Sequence, residues 1–332
     1  MERVLVTGGA GYVGSACAAR LLALGHSVDV MDDLSTGHVS SIPSGASFHK
    51  LDIGDREGLD GLLSKKSFDV VFHFAAKALI PESVTNPGVF FDTNVARSLA
   101  MLEVLRQHEI HRFIFSSTAA VYGNPKTVPI PEDHEKSPVN SYGESKLMFE
   151  QILERYAAAY GWGVVAFRYF NACGGAHNWG ERHEPETHII PLLMQVASGR
   201  RETFHLYGTD WPTPDGTNLR DYVHVGDIAE AHILAMKALD PSSFQIFNIG
   251  TGASHSVREV WSLAEKTTGR KIRVQVGGRR LGDPAVLCAD ATNLKKKLGW
   301  QPAQSNLESI LAGAWEWEKV LSGQTVNAGE VL

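Results

Sequence analysis

The chain has 332 residues, 43% hydrophobic and 20% charged, with a formal net charge of −6. That length allows one large domain or a domain with a smaller lobe, and the acidic balance lacks the basic footprint of a nucleic-acid binder. No apolar run is long enough to span a bilayer. Three distant cysteines, Cys17, Cys173 and Cys288, form no C-x-x-C and no disulfide framework, so reduced thiols in a cytoplasmic protein are expected.

In chain order, the first strand is expected at residues 4–7, which leaves no room for a leader ahead of it. Further strands are expected at 28–32, 47–51, 70–74, 113–116 and 164–168. Helices are expected between them at 11–24, 56–64, 89–108 and 142–160. Val- and Phe-rich strands alternating with helices imply a parallel sheet covered on both faces. After Asn171 the pattern changes, and glycine, proline and charge crowd the stretch 174–187. Helices are then expected at 189–197, 257–268, 291–298 and 307–321, with a strand-helix echo at 227–238 and 247–249. The expected fold class is α/β: a doubly wound parallel sheet of Rossmann type with a smaller mixed α/β lobe. Residues 1–171 would form the nucleotide-binding part, with 222–249 returning to it. Residues 172–221 and 250–332 would form the lobe.

The first strand runs into Thr7-Gly8-Gly9-Ala10-Gly11-Tyr12-Val13-Gly14, a G-x-x-G-x-x-G turn that opens the first helix. Such a turn permits close backbone approach, and a helix N-terminus receives a pyrophosphate. Asp32 closes the next strand, 24 residues after Gly8. A carboxylate there binds ribose hydroxyls and repels a 2′-phosphate, which favours NAD over NADP. Polar residues recur at later strand ends: Asp52-Ile53, Phe74-Ala75-Ala76-Lys77, Ser116-Ser117-Thr118 and Tyr169-Phe170-Asn171. Ligands of open parallel sheets bind outside these carboxyl ends. Tyr142 and Lys146 are four apart and share a helix face. An unperturbed tyrosine, with a pKa of about 10, is a poor base at neutral pH. A nearby lysine and an oxidised nicotinamide would both favour its phenolate, making Tyr142 a general base with Thr118 binding the reacting oxygen.

The stretches VTGGAGYVGS, FHFAAKALIPESV, FIFSSTAAVYG, SYGESKLMFEQIL, FRYFNACGG, GTDWPTPDGTNLRDYVHV and GRRLGDPAVLCAD together resemble the extended short-chain dehydrogenase/reductase family. The nearer resemblance, over almost the whole chain, is to its sugar-nucleotide 4-epimerases acting on UDP-galactose. This resemblance implies a catalytic set of Thr118, Tyr142 and Lys146. It implies NAD contacts at Gly8, Gly11, Tyr12, Val13, Asp32, Ser35, Thr36, Gly37, Asp52, Ile53, Phe74, Ala75, Ala76, Asn94, Lys146 and Tyr169 or Phe170. It implies a UDP-sugar held by Asn171, Ile189, Tyr207, Arg220, Arg280 and Asp283, with Thr118 and Tyr142 at the reacting carbon. Two arginines suit a pyrophosphate. The implied cycle removes hydride from C4, lets the bound 4-ketose turn over, and returns hydride to its other face. It also implies a homodimer sealed by the helices at 89–108 and 142–160.

Some positions depart from the pattern. Thr118 stands where serine is common, Ala78 where some relatives carry a lysine that lies one place earlier here at Lys77, and His188 where some have asparagine in the substrate loop. Leu287 falls where a residue borders the sugar's C2 substituent; it reads equally as an ordinary core leucine. No metal site is expected from His183-Glu184-Pro185-Glu186-Thr187-His188, because Pro185 breaks a helical face and no third partner is evident. Trp315 and Trp317 cannot share a helix face, so packing is expected for at least one. A 4,6-dehydratase would need an acid pair where Ala119 and Ala120 stand. The residues also admit a dehydrogenase that releases NADH. A non-enzymatic NAD-sensing protein would have no need for Thr118, Tyr142 and Lys146 together.

Overall fold

The computed structural model describes residues 1–176, 179–280 and 283–324; the end of the expected lobe, 325–332, lies outside them. Seven strands form one parallel sheet: β1 (Arg3–Thr7), β2 (Ser27–Asp32), β3 (Ser47–Lys50), β4 (Val70–His73), β5 (Arg112–Thr118), β6 (Gly163–Tyr169) and β7 (Ser243–Ile249). Their order is β7-β6-β5-β4-β1-β2-β3. Alternate residues of each strand face opposite sides, and the sequence places apolar groups on both. Val4, Val6, Val70, Phe72 and Ile114 meet one hydrophobic layer, whereas Leu5, Val71, Phe113 and Phe115 meet the other. Helices α1 (Tyr12–Ala23), α2 (Arg56–Leu63), α3 (Ser98–Gln107) and α4 (Ser141–Tyr160) connect the first six strands. Strand order reverses about β1 and β4, which opens a crevice at their carboxyl ends.

The helix expected at 89–108 is not continuous. It runs as an α-helix over Pro87–Phe91, widens to a π-helix over Asp92–Arg97, and resumes as α3. The Ser98 hydroxyl donates to the Thr93 carbonyl, five residues back, at 3.1 Å, and the Asn94 amide is held by groups outside the helix. A helix widened in this way often marks a functional region.

A short helix spans Ile80–Thr85, and the second half of the chain adds α5 (Ile189–Ser198), α6 (Val225–Ala235), α7 (Val257–Thr268), α8 (Thr292–Leu298) and α9 (Leu307–Leu321). Three of the second-half helices, α5, α7 and α9, enclose a separate core that includes Ile190, Leu193, Val260, Ala264, Ile310 and Leu311. Two others, α6 and α8, together with Trp300, instead join the core of the large sheet. The chain therefore returns to the first layer after residue 290, later than the sequence pattern suggests. Short pairings tie the lobe over the sheet's carboxyl edge. Leu219–Arg220 lies parallel to Val286–Leu287, and Asn171–Cys173 lies parallel to Tyr222–His224.

Candidate active site

At the end of β1 the chain turns through Gly8, whose φ is +70°. A Cβ there would stand 2.4 Å from the Ala75 nitrogen, and one at Gly14 would stand 2.3 Å from the Gly8 carbonyl oxygen. Side chains at these positions would push β1 from β4 and α1 from the turn. Gly11 precedes α1 and has no side chain to cap its N–H groups, leaving them for an anion. Asp32 is fixed by the Ala10 N–H at 3.0 Å and the Leu34 N–H at 2.8 Å. Burial pushes its carboxyl up, and those two N–H groups oppose the shift.

These residues border a cleft of about 1070 Å³. Its lining includes, from the expected cofactor set, Gly8, Gly11, Tyr12, Val13, Asp32, Ser35, Thr36, Gly37, Asp52, Ile53, Phe74, Ala75, Ala76, Lys146, Tyr169 and Phe170. Asn94 is the exception. It is buried, accepts from the Lys77 N–H at 2.8 Å, and donates to the Lys77 carbonyl and the Ser145 hydroxyl, each at 3.0 Å. With its amide so engaged, Asn94 braces the loop after β4 against α4 from beneath. Lys77 and Ala78 both line the cleft. Asp52 lies two residues past β3, and Arg97 donates to its Oδ2 at 2.6 Å.

Thr118 ends β5, and α4 begins behind an Asn140 cap that accepts from the Gly143 N–H at 2.8 Å. This entry brings Tyr142 to the same cleft wall as Thr118, whose hydroxyl favours the Tyr142 phenolate. One turn on, the Lys146 ammonium donates to the Ser116 carbonyl at 2.8 Å and lies 4.8 Å above the Phe115 ring. The sequence suggested that Lys146 would favour a Tyr142 phenolate. Within the protein alone burial dominates: it raises the Tyr142 pKa, which the Thr118 hydroxyl only partly offsets. Burial also pulls Lys146 down to about 7 against the pull of Glu150, so the lysine is itself a weakened source of positive charge.

The lobe supplies the other end of the cleft, where Asn171, His188, Ile189, Tyr207, Arg220, Arg280, Asp283 and Leu287 all line it. Arg280 donates to Asp283 at 3.1 Å and lies 5.2 Å from the Tyr207 ring centre. Burial lowers the Arg220 pKa, and Asp283 opposes that. Leu287 sits in register with Arg220. It also packs with the group around Tyr122, Ile130 and Phe170, so the two readings of this leucine coexist.

Sequence reasoning missed two features. The first is Glu181, which supplies the third partner thought to be missing from the 183–188 stretch. Glu181, His183, Glu186 and His188 place ligand-type atoms within 4.8 Å of one another, although Pro185 prevents any helical spacing from showing it. Burial disfavours both charges, yet the attraction and hydrogen bond between Glu181 and His188 win: the carboxyl is held low and the imidazole raised. The second is a buried ion pair between β6 and α4, Arg168 with Glu150. The two tryptophans separate as expected. Trp315 packs in the lobe core, and Trp317 donates to the Glu181 carbonyl at 2.9 Å.

A fold of this class with a Gly-rich turn, a strand-end acid and a Thr-Tyr-Lys set defines a nucleotide-dependent short-chain oxidoreductase scaffold. The model of the NAD dependent epimerase/dehydratase family matches residues 4–250, and the chain belongs to that family. It is 43% identical over 323 residues to a UDP-glucose 4-epimerase of Corynebacterium glutamicum, covering 97% of this chain and 98% of that protein. A UDP-glucose 4-epimerase from Brucella ovis solved in complex with NAD superposes with a TM-score of 0.91 at 41% identity, covering 95% of this chain and 98% of that one. One from Stenotrophomonas maltophila, with bound NAD and formylated UDP-arabinopyranose, gives a TM-score of 0.93 at 35% identity, covering 98% and 100%.

Proposed function

We propose that this protein is an isomerase that inverts C4 of a UDP-sugar, the UDP-galactose/UDP-glucose pair in the first instance, with NAD as a resident cofactor. The observation that carries this reading is the opposition, across one cleft, of the Gly8–Asp32 cradle and the Thr118-Tyr142-Lys146 set to Arg220 and Arg280 of the lobe. The cofactor supplies reversible hydride acceptance at the sugar carbon. Tyr142 exchanges a proton with the C4 hydroxyl, while Thr118 orients the same oxygen. Lys146, held by the Ser116 carbonyl, adds positive charge when protonated. Arg220, Arg280 and Asn171 keep the UDP portion anchored while the sugar turns. Ala119 and Ala120 line the cleft and cannot exchange protons, which disfavours dehydration. In this reading residues 1–171 and 222–249 carry the cofactor and the lobe carries the sugar nucleotide. A cytoplasmic homodimer is the assembly we propose, supported by exposed Leu99 and Met148 on α3 and α4. Among the described residues no helix is long and apolar enough to cross a membrane.

The test begins with protein purified without added cofactor. Denaturation should release NAD or NADH, and incubation of the intact protein with UDP-galactose should yield UDP-glucose without free NADH. NADP as the main nucleotide would refute the role of Asp32, and stoichiometric free NADH would make the protein a dehydrogenase.

Leu287 bears on which sugars enter. A leucine leaves more room than a tyrosine beside Arg220, so UDP-N-acetylhexosamines should be accepted alongside UDP-hexoses. Leu287→Tyr should lower kcat/KM for UDP-N-acetylgalactosamine by at least about tenfold, about 1.4 kcal/mol, and leave UDP-galactose nearly unchanged. Equal losses on both substrates would assign Leu287 to packing with Tyr122 and Phe170.

A further inference from the structure

We propose that Glu181, His183, Glu186 and His188 form a binding site for one divalent first-row transition ion of the zinc type. The site lies outside the catalytic set, and the proposal does not depend on the reaction assigned above. Its basis is the convergence of four groups on one point. The Glu181 Oε1 atom faces the Nδ1 atoms of both His183 and His188, each at 2.8 Å. The same His188 Nδ1 faces the Glu186 Oε1 at 2.9 Å. A ring nitrogen carries at most one hydrogen, so His188 Nδ1 cannot fully satisfy both carboxylates. A cation among the four atoms would satisfy them together. Their separations, 2.8 Å for the nearest pairs and up to 4.8 Å, bracket the roughly 3.3 Å between ligand atoms of a tetrahedral zinc with bonds of about 2.0 Å, so the ion would part the near pairs and draw in the far one.

The donor chemistry narrows the ion. Two imidazole nitrogens and two carboxylate oxygens suit zinc and its first-row neighbours better than calcium or magnesium, which take mainly oxygen. Four protein ligands make a closed site of structural type. The surroundings hold the ligands in place. Glu181 and Glu186 side chains are each only 5% exposed. Trp317 fixes the Glu181 carbonyl, and the backbone N–H groups of Thr187 and His188 donate to Glu186 at 2.7 and 2.8 Å. Ordered outer partners of this kind orient metal ligands. A route for the ion exists as well. A second cavity of about 460 Å³ is lined by Glu181, His183, Glu186, Arg200 and Trp317, while Glu181, His183 and His188 also border the main cleft. The cluster is thus the partition between two solvent-reachable spaces.

The consequence concerns α5. His188 precedes its first residue, Ile189, and both line the cleft. An ion would pin residues 181–188 and set where α5 begins, through a histidine that itself lines the cleft.

The experiment uses the untagged, nucleotide-bound protein after treatment with a chelator. Zinc added in a calorimeter should bind with a stoichiometry of one, and cobalt(II) should develop the visible absorption of a tetrahedral or five-coordinate centre. His183→Ala and Glu186→Gln should each weaken zinc binding by at least about 10–100-fold, with nucleotide content and circular dichroism unchanged. Absence of stoichiometric zinc and cobalt binding in the parent protein would overturn the proposal. So would equal affinity in the parent and both folded variants.

Discussion

Tyr142→Phe yields a folded protein that keeps its nucleotide and turns over about 10²–10⁴-fold more slowly, the usual cost of removing a general acid-base. The side chain is half-buried in the cleft wall with Thr118, so the substitution removes one hydroxyl and little volume. The loss should fall on kcat, because the contact that matters is made while the proton moves. Burial by itself raises the Tyr142 pKa and lowers that of Lys146 to about 7. Tyr142 is therefore not poised for proton transfer by the protein alone, Lys146 carries only part of its charge at neutral pH, and the charge of the oxidised nicotinamide must favour the phenolate. Two measurements decide the point: nucleotide content per protomer and kcat with UDP-galactose. Full nucleotide content with more than about a tenth of the wild-type kcat would remove Tyr142 from proton transfer.

Much of this site was legible because its parts are local. A Gly8-x-x-Gly11-x-x-Gly14 turn between an apolar strand and a helix leaves a contiguous trace, and so does an acid closing the next strand. The Tyr142–Lys146 pair is a one-turn spacing. What escaped was made by contacts between distant residues or by irregular backbone. Asn94 reads as one polar residue in a helix, yet it bonds to Lys77, 17 residues away, and Ser145, 51 away. The π-helix around it breaks the 3.6-residue period on which recognition of the helix rests. Glu181 joins His183 and His188 through a proline-bearing loop that has no period to follow. The lobe's strands at Leu219–Arg220 and Val286–Leu287 contain two residues each, too few for alternation to register. The return of α8 and Trp300 to the main core depends on packing against α6. Tertiary context fixes it, and no sequence pattern marks it.

Arg168→Met destabilises the protein by about 3–5 kcal/mol, because it leaves a buried carboxylate without its cation. Arg168 ends in a pocket where neither partner reaches solvent: its side chain is 0% exposed and that of Glu150 is 3% exposed. The guanidinium donates to Glu150 through Nε at 3.0 Å and Nη2 at 2.6 Å, to the Tyr122 hydroxyl at 2.8 Å and to the Glu132 carbonyl at 2.9 Å. Burial works against the guanidinium charge, but Glu150 more than restores it and raises the Arg168 pKa. Ser117 adds a hydrogen bond to the same Glu150 oxygen at 2.5 Å. The pair thereby joins β5, α4 and β6 immediately beneath Thr118, Tyr142 and Lys146. Loss of Arg168 should therefore slow catalysis as well as lower stability, since Thr118 and Tyr142 are held on the two elements it ties together. The unfolding midpoint in urea, with its slope, measures the first effect. A double variant separates charge from packing. Glu150→Leu combined with Arg168→Met removes both charges and should recover at least about 2 kcal/mol relative to Arg168→Met alone. Should the double variant be no more stable than the single one, the cost belongs to lost packing and hydrogen bonds around Tyr122 and Ser117, and the unpaired carboxylate is not its source.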